Sequence, residues 1–249
     1  MSESMRIWSE ISFNLLYLVG IYWLVILMVR RRNNVETAER PLANLFIWSF
    51  ALLALGDTGH VGFRVWAYAL GGLEQTVSLF GREVGLVGLG ALATSITVTL
   101  FYVLVLVIWH ERFSKPYGWF GGLLLAAAVT RFLIMLSPNN EWNNVVPPQP
   151  WSFYRNLPLM VQGLGAAYLI LRDARATNDR TFTWVGLMIL TSYAFYMPVI
   201  FLVQRYPLVG MLMIPKTMAY VAIAFIAYFG LFKKGEETAV TSPTTSLTT

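Results

Sequence analysis

A chain of 249 residues that is 57% hydrophobic and only 12% charged, with a mean hydropathy of +0.59, lies outside the range of ordinary soluble domains and points to a polytopic membrane protein. The absence of cysteine removes disulfides, thiolate metal sites and cysteine nucleophiles, and two histidines are too few for a histidine-rich metal centre. The net charge of +5 does not imply nucleic acid, because the basic residues stand in short clusters between apolar runs, where a bilayer accounts for them.

Seven apolar runs reach the roughly 20 residues needed to cross a bilayer. They lie near 11–29, 43–66, 85–109, 119–137, 153–171, 182–204 and 208–232, and predict an all-α bundle of seven transmembrane helices as one domain over 1–237. The head MSESMRIWSE is not basic, and Arg30, Arg31 and Arg32 follow the first run, so that run reads as a retained helix and not as a cleaved signal peptide. The basic residues after helices 1, 3, 5 and 7 (Arg30, Arg31, Arg32, Arg40, Arg112, Lys115, Arg172, Arg175, Arg180, Lys233 and Lys234) outnumber Arg6, Arg82 and Arg205 on the other side. The expected topology is therefore N-terminus outside and C-terminus cytoplasmic, in the cell membrane.

Short loops leave no room for a soluble domain and make sequential helices neighbours. The segment from Ser137 to Trp151 is longer and rich in proline and asparagine. It is expected to be non-helical, anchored at the interface by Trp142 and Trp151, and placed to cap the outer mouth. Gly81, Gly85 and Gly88 at the head of helix 3, with Gly163 and Gly165 in helix 5, should let backbones approach closely. Pro198 and Pro215 should kink helices 6 and 7. The polar tail over 238–249, TAVTSPTTSLTT from Thr238, is expected to be disordered.

The second run carries Asp57, His60 and Arg64, which at 100° per residue lie within about 60° of one another on a helix, beside Gly56, Gly59 and Gly62. Counting along each helix at about 1.5 Å per residue puts most strongly polar intramembrane groups in the outer half. These are Asp57 and His60, Arg131, Gln162, Tyr193 and Tyr196, and Lys216, with Glu10, Asn14, Arg155, Asn156 and Ser192 nearby. Asp57 is the one firmly embedded acid among several cations, so an outward-facing pocket there would suit a small anionic or amphipathic ligand. Asp57 and His60 would orient its head, Arg131 and Lys216 neutralise it, and Gln162, Tyr193 and Tyr196 line the wall. Such a protein would be a sensor, receptor or accessory component, its other partners being membrane lipids, with room for a homo-oligomer. The plainer readings are that Arg131 and Lys216 snorkel to the headgroups, that Arg64 and Arg155 anchor the interface, and that Asp57 with His60 braces helix 2.

Three other functions compete. The stretch MLMIPKTMAYVAIAF places a lysine in helix 7 of a seven-helix bundle with an external N-terminus, which resembles the layout of rhodopsins. That resemblance implies a retinal Schiff base at Lys216; Leu212 stands four residues before it and helix 3 has no acid below Glu83, so Asp57 would be the counterion. A lipid-modifying enzyme would use Asp57 and His60, at i, i+3, as an acid–base pair, although no GxSxG elbow, HExxH helix or triad of metal ligands is present. A small carrier would need paired broken helices, whereas the two prolines interrupt only the last two helices, and the aliphatic inner half offers no continuous polar path.

Overall fold

The computed structural model describes residues 3–79 and 81–233, which form seven α-helices: α1 (Glu3–Arg31), α2 (Arg40–Ala69), α3 (Leu86–Phe113), α4 (Gly118–Met135), α5 (Trp151–Ala176), α6 (Arg180–Leu202) and α7 (Met213–Ala227). The tail expected over 238–249 lies outside the described residues, as do Lys234 and the side chains of Arg6, Glu10 and Arg82. Six helical segments are long and apolar enough to cross a membrane, which makes this a multi-pass membrane protein. The segment outside that set is α5: its 26 residues span about 39 Å, but it carries Arg155, Asn156, Gln162 and Asp173, all buried. It packs among α3, α4 and α6, so those polar positions face protein.

Helices adjacent in sequence lie side by side, and α1 and α2 also reach α7, closing the bundle. The α2–α3 seam is the closest because its glycines leave no room for a side chain. A methyl group on Gly56 would overlap the Thr97 hydroxyl, and one on Gly90 would lie 3.0 Å from the His60 Cα. Tight seams of this kind substitute van der Waals contact for the hydrophobic drive that lipid does not provide.

At one end, α2 finishes in a Schellman turn, with Gly72 N–H donating to the Ala67 carbonyl and Gly71 N–H to that of Tyr68, and Gly71 at φ 112°. The chain then forms a hairpin absent from the all-helical expectation: β1 (Thr76–Leu79) pairs antiparallel with β2 (Arg82–Gly85), Thr76 opposite Gly85. Gly81, at φ 76°, belongs to its turn and not to the head of α3. We call this the hairpin end and the opposite one the far end.

The segment between α4 and α5 straps across the hairpin end. Asn143 accepts from the Gly85 N–H at 3.1 Å and donates to the Glu83 carbonyl at 3.2 Å, Trp142 donates to the Met135 carbonyl at 3.1 Å, and Gln204 donates to the Pro147 carbonyl at 2.8 Å. Gly88 lets the Trp142 carbonyl lie against α3 where a side chain would collide with it. Trp142 is therefore half-buried against protein.

The seventh segment is composite, a 3-10 stretch over Pro207–Leu212, α7, and a π-helical turn over Tyr228–Lys233. Pro215 falls in the first turn of α7, where its missing N–H has no helical acceptor to lose, so it starts the helix and does not kink it. Pro198 does lie inside α6, where it leaves the Ala194 carbonyl without its helical donor. Away from the hairpin end the core is aromatic and aliphatic, with Phe46, Phe50, Phe101, Phe182, Trp109 and Ile223 almost fully buried. A void of about 10 Å³ among Phe50, Phe101, Val105, Ile189 and Ile223 is at the limit of what one water needs.

Candidate functional site

The site in the hairpin half begins at Arg131, four residues before the end of α4 and only 2% exposed. Its Nε donates to the Arg155 carbonyl at 2.9 Å and its Nη1 to the Thr99 hydroxyl at 2.9 Å, so the guanidinium ties α4 to α5 and α3. It reaches into the bundle, which removes the snorkelling reading for this residue. Gln162, 1% exposed, donates to the Thr99 carbonyl at 3.4 Å, and its Oε1 has no hydrogen-bond partner among the described residues.

Around this junction lies a group of tyrosines. The Tyr193 ring fills the space that Gly163 leaves on α5, and its hydroxyl donates to the Leu159 carbonyl at 2.8 Å. Tyr102 stands 5.6 Å from Tyr193 between ring centroids, and its hydroxyl meets that of Tyr220 at 2.8 Å. Tyr196 donates to Asn156 Oδ1 at 3.1 Å. Lys216 Nζ rests on two of these rings, 4.7 Å from the Tyr196 centroid and 5.3 Å from that of Tyr220. Aromatic faces attract a cation but leave its charge uncompensated.

Arg155 is the residue that sequence reasoning misjudged most. As an interface anchor it would point to headgroups and water; instead it is 8% exposed, with its guanidinium 4.5 Å from the Trp142 ring centroid beneath the strap. The Arg155 carbonyl joins it to Arg131, and Tyr196 donates to Asn156, the residue that follows Arg155. No described carboxylate lies within 4.0 Å of Arg131, Arg155 or Lys216.

Asp57 sits to one side. Tyr17 donates to one carboxylate oxygen at 2.7 Å and Thr94 to the other at 3.0 Å, so α1 and α3 hold it, and its charge is felt at Lys216 without an ion pair. His60 is half-buried on the α2–α3 seam beside Gly90. Of the residues expected at the site, Arg131, Gln162, Tyr193, Tyr196 and Lys216 share one cluster, while Asp57 is linked to it through charge. Thr99, Tyr102 and Tyr220 complete the cluster without having been anticipated. One signal was in the chain: Tyr220 stands one helical turn after Lys216.

The far end has a different chemistry. Arg112 at the end of α3 pairs with Glu39 at 2.7 Å and with Asp179 at 2.8 Å, and lies over the Phe182 ring at 5.4 Å. Asp179 also caps α6 by accepting from the Phe182 N–H at 3.0 Å. Arg172 and the Trp109 indole both donate to Asp173, each at 2.8 Å. His110 belongs to this end, its ring stacked 4.6 Å from Tyr117. Between Glu36, Arg112, Asp179, Arg180 and Leu231 opens a cavity of about 730 Å³.

Among the described residues no group of three or more histidine, aspartate or glutamate side chains could hold a metal ion. The hairpin half gathers Arg131, Arg155 and Lys216 in one region, with no described carboxylate within 4.0 Å of them. Comparison with protein families, with curated proteins and with solved structures found no match for this chain.

Proposed function

We propose that this protein crosses the cell membrane seven times, N-terminus outside, and binds a small anionic or amphipathic ligand in the outer half of the bundle, as a sensor, receptor or accessory component. The hairpin end is then the external one, and α5 is the crossing whose polar residues its neighbours shield from lipid. The supporting observation is that Arg131, Arg155 and Lys216 gather near Tyr196 with no described carboxylate within ion-pair distance. Burying cations without a counter-charge costs several kcal/mol per ion, roughly, and a bound anion would offset that cost. Lys216 and Arg155 are the neutralising groups, since two nitrogens of Arg131 already donate to the protein. Tyr193, Tyr196 and Gln162 form the wall, and Asp57 with His60 marks its far side. Dense aromatic packing in the other half favours a binder over a carrier.

The test is native mass spectrometry and visible absorption of the purified protein, wild type and Lys216→Ala. A co-purifying anion retained by the wild type and lost from the variant supports the reading. A visible band with a covalent adduct on Lys216 would replace it with a retinoid chromophore. Absence of any anion from the wild type, with none taken up from added anionic lipids or metabolites, would overturn it.

A further inference from the structure

Among the described residues, the cluster carries more positive charge than the acids beside it balance. Arg131, Arg155 and Lys216 contribute three positive charges near Tyr196, against one negative charge among the described residues there, that of Asp57, which Tyr17 and Thr94 hold to one side. Among the described residues the surplus is two charges, and contacts draw it into one region: Arg131 donates to the Arg155 carbonyl, Tyr196 donates to the adjoining Asn156, and Lys216 lies on the Tyr196 ring. Resting on the anion-binding reading above, we infer that the ligand group is one dianionic oxyanion of the phosphate-monoester kind.

A carboxylate or a phosphodiester would leave one of the two surplus charges standing in a buried site. A phosphate monoester puts two charges and three acceptor oxygens on one tetrahedral centre. The donors suit it. The Arg155 guanidinium has no hydrogen-bond acceptor among the described residues, so its planar fork is free to take two oxygens, while the lysine acts as a point charge. Tyr196 and Tyr220 keep the lysine on an aromatic wall that an alkyl or glyceryl group could follow. The same group could arrive on a soluble monoester or as the head of a lipid.

The full-length protein in zwitterionic nanodiscs, at about pH 8 and thus well above the second phosphate pKa of about 6, separates these possibilities. One arm compares hexyl phosphate with hexyl sulfate, which share a shape and differ by one charge. The other compares phosphatidic acid with phosphatidylglycerol doped into the disc. The dianion should bind about tenfold or more tightly than the monoanion in whichever arm shows binding, the responding arm identifying a soluble or a lipid source. Arg155→Gln and Lys216→Met should each shrink that preference to about twofold, and Arg155→Lys, which keeps the charge, should preserve most of it. Equal affinity of the dianion and the monoanion overturns the dianion inference and leaves the anion reading intact. Binding of none of the four probes by the folded wild-type protein overturns both.

Discussion

Two pairs of arginines, one pair in each half of this bundle, are met in opposite ways. At the far end Arg112 and Arg172 stand beside carboxylates at 2.7–2.8 Å, and their side chains are 30% and 47% exposed. In the hairpin half Arg131 and Arg155 are 2% and 8% exposed and are met by a carbonyl, a hydroxyl and an indole. If the bundle needed cations only as cement, the desolvated half is where paired acids would be expected, because an unpaired charge costs most there. The reverse distribution is what supports the proposal of an anion site in the hairpin half.

Four changes would break or sharpen that contrast. The largest effect should come from Gly88→Val, which drives a side chain into the Trp142 carbonyl and unseats the strap over Arg155. Overpacking of this kind costs about 3 kcal/mol and should appear as a lower unfolding midpoint in detergent with greater quenching of tryptophan fluorescence. An unchanged midpoint would contradict the seating of the loop on α3. Next, Lys216→Met should weaken anion binding about 10- to 100-fold, equivalent to about 1.4–2.8 kcal/mol, while thermal stability holds or rises because a half-buried charge without a described carboxylate beside it has gone. A large loss of stability with it would recast the lysine as structural.

Arg112→Met leaves Glu39 and Asp179 to repel each other. Since that arginine is partly exposed, the loss should be about 1 kcal/mol and should shrink as salt is added, whereas salt should hardly alter the hydrogen bonds of buried Arg131. Smallest is Asp57→Asn, whose amide oxygen still accepts from Tyr17 or Thr94. Stability should shift by only a few tenths of a kcal/mol, and anion binding should tighten about two- to fivefold as the opposing charge disappears. Weaker anion binding in this variant would mean that Asp57 assists the ligand and does not oppose it.

Much of this arrangement was legible in the chain. Long apolar runs located the helices because a span must satisfy its own backbone, and that requirement leaves a mark on every residue of the segment. The polar residues of the hairpin half could be placed at a common depth by counting rise per residue. Direction could not be read: Arg131 and Arg155 have stems long enough to point out or in, and only the packing of Thr99 and Trp142 against them decides. The tyrosines were hidden for a related reason, since periodicity gives the face of Tyr102 but not that Tyr220, 118 residues later, meets it. The hairpin escaped because four-residue strands carry too little alternation to stand out beside a Gly-rich helix head.

The close aromatic packing away from the hairpin end has an electrical side. Membrane voltage falls across low-dielectric material, which includes the closely packed layer around Phe50, Phe101, Val105 and Ile223. A charge carried across the whole field changes energy by about 2.3 kcal/mol per 100 mV. An anion that settles among Lys216, Arg131 and Arg155 stops short of that layer. Its occupancy should therefore follow the concentration and charge of the ligand on the hairpin side and respond to only part of the membrane voltage.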